Sequence, residues 1–209
     1  MKRTLFFLCV FLWPLIFVYA QQEIEVPVWS VGDTWIFTAQ GIAQGRVEVI
    51  SADESTYTVT FSHCMFDRTP STVIFDRSTL ERVHYLEGDK RKNYDWARRR
   101  LFNFPLSVGK QWGKDKCSGL PIYNPDAPQI VRDYSESYSV IGWEDVTVQA
   151  GQFRAIKFEY TQVVMYGARA GKAYFWFSPE VKYLVKCQID KDYWKTGFDY
   201  ELVSFELRR

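Results

Sequence analysis

Tyr57-Thr58-Val59-Thr60-Phe61-Ser62-His63-Cys64-Met65 sets a large side chain at every odd position and a small polar one between. Successive side chains of a strand point to opposite faces, so this pattern predicts a strand with one buried face and one wet face. The same rhythm recurs on both sides of it. Val47 and Val49 alternate with Arg46 and Glu48, and Ile156, Phe158 and Tyr160 alternate with Lys157 and Glu159. Turn-type residues separate the runs at Ala52-Asp53-Glu54-Ser55, Asp67-Arg68-Thr69-Pro70-Ser71, Glu87-Gly88-Asp89 and Gly167-Ala168-Arg169-Ala170-Gly171. Short alternating runs joined by such turns predict hairpins linked into an antiparallel meander, hence an all-β chain. The last run, Phe198–Leu207, changes phase after Leu202, which predicts a β-bulge there.

Helix signals are few. Asp95–Leu101 has room for one or two turns, and no long amphipathic stretch or βαβ alternation is present. Gly113–Pro128, with two Gly and three Pro, is expected to be a long loop between strand-rich halves within one domain, 21–209. Each half alone has too little surface to bury a good core. Val31-Gly32-Asp33-Thr34-Trp35 is echoed by Val108-Gly109-Lys110-Gln111-Trp112. A shared turn, with Gly at positive φ and Trp anchoring the next strand, explains the echo without a duplication.

Residues 1–20 read as a secretory leader. Lys2 and Arg3 precede an uncharged apolar run, Leu5–Val18, and Val18-Tyr19-Ala20 offers small residues for cleavage before Gln21. The run is short for a bilayer span of about 20 residues, and Pro14 interrupts it. Leu8 before Cys9 does not suit lipid modification. The expected location is therefore the periplasm or the exterior, with no membrane span after cleavage. Without Lys2 and Arg3, 24 basic residues face 25 acidic ones. That balance gives no field that would gather nucleic acid.

Export implies an oxidising compartment. Of the three cysteines left after cleavage, Cys187 alternates in phase with Tyr183, Val185 and Ile189 and is expected to be a buried free thiol. Cys64 lies on the polar phase of its strand and Cys117 in the Gly/Pro-rich loop, so Cys64–Cys117 is the expected disulfide.

The motifs, taken in order, resemble an uncharacterised family of secreted bacterial β proteins. They are Val-Gly-Asp-Thr-Trp at 31–35, Phe-Pro-Leu-Ser-Val-Gly-Lys-Gln-Trp at 104–112, Glu144–Phe153, and Trp-Phe-Ser-Pro-Glu-Val at 176–181. Gln149 stands where the family pattern usually has proline. The resemblance implies a curved antiparallel sheet, a half-barrel or open barrel similar to periplasmic lipoprotein carriers. It implies no reaction and no set of functional residues.

No catalytic constellation is legible. A nucleophile needs a base within hydrogen-bond reach, and the only histidines are His63, on an apolar phase, and His84, beside Arg82 and Tyr85. Spacings such as Cys-x-x-Cys or His-Glu-x-x-His are absent, so no metal and no cofactor is expected. Two features point to binding instead. One is the aromatic set, from which Phe158, Tyr160, Tyr174 and Trp176 are expected to share a concave face. The other is the basic run that includes Arg98 and Arg99, with Trp96 beside it, suited to anionic head groups or acidic glycans. The expected function is an exported, non-catalytic binding or carrier protein for an apolar or amphipathic ligand, with lipid, glycan or an envelope protein as partner. An envelope structural factor without a small ligand is the alternative, and an unrecognised hydrolase stands behind it.

Overall fold

A computed structural model of the chain describes residues 23–39, 43–62, 71–87, 90–92, 100–122, 130–164, 169–190 and 199–209. These residues form twelve strands and no helix. The first six are β1 (Thr34–Ala39), β2 (Ala43–Ala52), β3 (Thr56–Ser62), β4 (Ser71–Asp76), β5 (Arg82–Glu87) and β6 (Lys90–Lys92). The second six are β7 (Gln111–Ile122), β8 (Ile130–Val148), β9 (Gly151–Val164), β10 (Arg169–Ser178), β11 (Tyr183–Ile189) and β12 (Tyr200–Glu206). All lie in one open, curved antiparallel sheet of order β6-β5-β4-β3-β2-β1-β12-β11-β10-β9-β8-β7.

The order has a simple cause. Each set of six is a meander of hairpins, and the first and last strands, β1 and β12, pair to join the two sets. β6 and β7, although consecutive in sequence, therefore stand at opposite edges. The chain between them must cross the sheet, and its described part, residues 100–110, crosses the inner face. Phe102 on this strap meets Phe158, Phe177 and Tyr183 with ring centroids 6.1, 5.3 and 6.3 Å away. A second strap, residues 23–33, lies beside the first: Ile24 and Leu106 exchange backbone hydrogen bonds of 2.9 and 2.8 Å. Trp29 on the second strap touches Trp35, Tyr57, Phe75 and Tyr183, so one ring binds both halves of the sheet.

The inner face follows the predicted alternation. Tyr57, Val59 and Phe61 are buried while Thr56, Thr58, Thr60 and Ser62 are half-buried. The bulge expected near Leu202 is present: Ile36 faces Ser204 and Phe37 faces Leu202, leaving Val203 as the extra residue. The expected loop at 113–128 is corrected. Residues 113–122 belong to β7, an edge strand with register shifts between Lys114 and Cys117 and between Cys117 and Leu120. An edge strand hydrogen-bonds on one side only, which is where Pro121 is tolerated. Gly113 has a packing reason, because a Cβ there would stand 2.2 Å from the Glu136 carbonyl oxygen. Exposed Lys114, Asp115 and Lys116, together with the irregular register, blunt this edge against pairing with another chain.

The Val-Gly echo is one turn used twice, once before the first strand of each meander. Gly32 (φ +91°) donates to Val49 O, Asp33 N to Ser30 O, and Val49 N returns to Asp33 O. Gly109 (φ +85°) donates to Val140 O, Lys110 N to Ser107 O, and Val140 N returns to Lys110 O. The indoles then dock on backbone carbonyls, Trp35 on Val181 O at 2.8 Å and Trp112 on Arg100 O at 2.9 Å.

Candidate functional site

The residues expected to line one concave face divide between two. The register pairs Phe158 with Phe175 and Tyr160 with Ala173, whereas Trp176 pairs with Lys157 and Tyr174 with Glu159. Phe158 and Tyr160 point inward, and Tyr174 and Trp176 point to the other face. Trp176 is nonetheless buried. Its indole donates to Glu144 Oε2 at 2.8 Å, and the Lys157 and Lys186 ammoniums lie 4.8 and 5.6 Å from its ring. That hydrogen bond, and then Lys157, hold the Glu144 carboxyl below its ordinary pKa against the opposing effect of burial. Salt bridges Lys157–Glu144, Lys172–Glu159 and Lys186–Glu201 continue across this outer face. The arrangement neutralises itself and acts as a packed, charge-paired surface.

Trp96, Arg98 and Arg99 lie outside the described residues, as do His63 and Cys64. Among the described residues no disulfide is present, and Cys117 is buried on β7 rather than in a loop. Non-reducing peptide mapping tests the Cys64–Cys117 pair directly. Cys187 is a free, buried thiol on the inner face, and burial pushes its ionisation well above the usual range. Only the thiolate reacts, so Cys187 is expected to resist alkylation in the native protein and to label fully in denaturant. Rapid native labelling at Cys187 would contradict this packing.

His84 sits half-buried on β5, opposite Ile74. No group of three His, Cys, Asp or Glu able to hold a metal occurs among the described residues.

The inner face changes character along β8, β9 and β10. Rows read across the register run Val140–Phe158–Phe175, then Tyr138–Tyr160–Ala173, then Glu136–Gln162–Gly171. The first row is dry and packed, with Phe158 and Phe175 stacked at 5.2 Å. The second carries a train of rings: Trp112 stacks on Tyr138 at 5.0 Å, and Tyr138 meets Tyr160 at 4.8 Å. The third is polar although it is enclosed: Glu136 is 9 % exposed and Gln162 5 %. The Gln162 side-chain amide nitrogen has no hydrogen-bond partner. A buried amide donor left unpaired costs about 1–3 kcal/mol, so its presence asks for an explanation. Opposite it, Gly171 contributes no side chain.

Solved structures resemble this fold at low sequence identity. The hypothetical lipoprotein YmcC from Escherichia coli has a TM-score of 0.47 at 9 % identity, covering 90 % of this chain and 92 % of that one. A protein with a YmcC-like fold from Bacteroides fragilis has a TM-score of 0.42 at 15 % identity, covering 88 % of this chain and 100 % of that one. No family model and no curated protein matches the chain.

Sequence reasoning missed the Glu136–Gln162 row. Its one visible signal was a Glu and a Gln in phase with buried aromatic residues, at Glu136-Ser137-Tyr138 and Tyr160-Thr161-Gln162. A concavity of about 250 Å³ lies at the end of the sheet that carries the 179–182 turn. It is lined by Glu23, Ile24, Glu25, Pro27, Phe177, Pro179 and Lys182. The turn and the 23–33 strap form its walls, and Lys182 Nζ is held by Val28 O at 2.9 Å.

Proposed function

We propose that this chain is an exported, non-catalytic binding protein that takes an amphipathic ligand at the polar end of its inner face. The observation that carries the reading is Gln162, a buried amide with an unpaired donor in a row that ends on Gly171. Natural interiors pair their buried polar groups, and a donor kept unpaired is explained by a ligand that pairs it. Among the described residues, Phe102, Leu106 and Trp29 fill the middle of the inner face from the straps. A deep lipid cavity along the whole concave face is therefore not part of the proposal. Export rests on the leader-like residues 1–20.

Gln162→Met keeps the length of the side chain and removes the donor. The apo protein is expected to gain about 1 kcal/mol in urea unfolding. The ligand recovered by mass spectrometry after detergent-free purification from the exporting cell is expected to fall about tenfold. Wild-type protein that yields no small molecule, with the variant merely more stable, would transfer the assignment to an envelope structural factor.

A further inference from the structure

We infer that the concavity between the start of the 23–33 strap and the 179–182 turn binds an alkylammonium group, a primary amine carried on an aliphatic stem. The site is separate from the Gln162 row and does not depend on it. Phe177, in its floor, stands six positions along β10 from Gly171, about 20 Å at the rise of a strand.

Shape, lining and charge carry the inference. The space of about 250 Å³ is below the roughly 300–1,000 Å³ of sites that enclose a whole small molecule, and it suits one side chain or head group. Buried Ile24 and Phe177 form the floor, and Pro27 and Pro179 add aliphatic rings above it. Such a surface takes up a methylene stem, which gains by leaving water. The rim is acidic. Glu23 and Glu25 are exposed on either side of Ile24, and among the described residues no hydrogen bond or ion pair engages either carboxylate. On the outer face, by contrast, Glu144, Glu159 and Glu201 each have a lysine. Lys182 is the cation of this wall, yet its ammonium donates to Val28 O at 2.9 Å, and its own carbonyl accepts from the Trp29 indole at 2.9 Å. That lysine is occupied in fastening the turn to the strap. The two wall carboxylates, with Glu180 exposed on the same turn, outnumber its one ammonium.

Other ligand classes use less of the site. An anion would face the carboxylates. A metal ion would gain nothing from Phe177 or the prolines, and no group of three His, Cys, Asp or Glu able to hold one occurs among the described residues. A neutral alkyl group would leave the rim unused. An ammonium on an aliphatic stem engages floor and rim together, whether it comes from a free amine or from a lysine side chain of a partner protein.

The experiment titrates the leader-free protein with hexylammonium chloride, with sodium hexanoate and with the blocked peptide acetyl-Ala-Lys-Ala-amide. Binding is read from the Ile24 methyl and Lys182 amide resonances, with the Gln162 side-chain amide as a distant reference. It is repeated with the double variant Glu23→Gln/Glu25→Gln, which should unfold in urea as the wild type does because both positions are exposed. Hexylammonium is expected to move the Ile24 and Lys182 resonances, to leave Gln162 in place, and to bind at least about fivefold more tightly than hexanoate. The variant should lose about fivefold for hexylammonium, in line with ion pairs at an exposed rim. A lysine peptide that binds at least as tightly as hexylammonium identifies a partner protein's side chain, and much weaker peptide binding identifies a free amine; either supports the inference. Hexanoate that binds as well as hexylammonium, or hexylammonium affinity unchanged in the folded variant, overturns the cation assignment. Changes confined to Gln162 would place the ligand at the other site, overturning this one while supporting the binding function proposed above. No response to any probe overturns this inference and leaves the Gln162 reading standing.

Discussion

Trp35→Ala is expected to destabilise the protein by about 4 kcal/mol, the upper range for removing a buried tryptophan. Trp35 is fully buried, stands 5.5 Å from Trp29 and 5.0 Å from Tyr183, and donates its indole N–H to Val181 O at 2.8 Å. Truncation therefore empties a large volume, exposes ring faces to a void and leaves a buried carbonyl unpaired. Folded domains hold only about 5–15 kcal/mol in reserve, so the variant should approach the unfolding threshold. Urea unfolding followed by tryptophan fluorescence measures the change. A loss below about 1 kcal/mol would mean that the straps and the two meanders do not meet at this residue.

Asp33→Ala is expected to cost about 3 kcal/mol, since hydrogen bonds to an ionised carboxylate contribute about 1.5–3 kcal/mol each. Asp33 is fully buried, and its carboxylate accepts from Ser30 N at 2.8 Å and from Arg208 N at 2.6 Å. It thus ties the entering strap to the chain that leaves β12. The second copy of the turn supplies the control. Lys110 occupies the equivalent position, and its ammonium only reaches Pro105 O on the strap, at 2.8 Å. Lys110→Ala should cost under about 1 kcal/mol. Equal losses for the two variants in chemical denaturation would show that the turn, rather than the buried carboxylate, is what matters.

The two copies show what a sequence motif can and cannot carry. Glycine at positive φ and tryptophan three positions on are local requirements, legible wherever they occur. That the Asp33 carboxylate would meet Arg208 N, 175 positions away, depends on β1 pairing with β12. No local signal records that pairing.

The face assignments around β10 follow the same division. On β9 only one parity is apolar around Ile156, Phe158 and Tyr160, so its inner set was readable. On β10 both parities carry large side chains, Phe175 and Phe177 on one and Tyr174 and Trp176 on the other. Alternation then names no inner set, and the register with β9 decides. That register put Phe175 beside Phe158 and sent Trp176 out to Lys157, Lys186 and Glu144. β7 was hidden for a related reason. Gly113, Gly119 and Pro121 speak against a central strand, but an edge strand with irregular register accepts them.

By itself, then, the sequence determined the all-β class, the pairing of successive strands, the β12 bulge and the buried phase of β3 and β9, because each depends on neighbours within a few positions. The tertiary structure alone decided the β1–β12 junction, the crossing of the straps over the inner face, and the meeting of Glu136 with Gln162. These join residues far apart in the chain, and their energies come from packing and register, which a linear pattern does not contain.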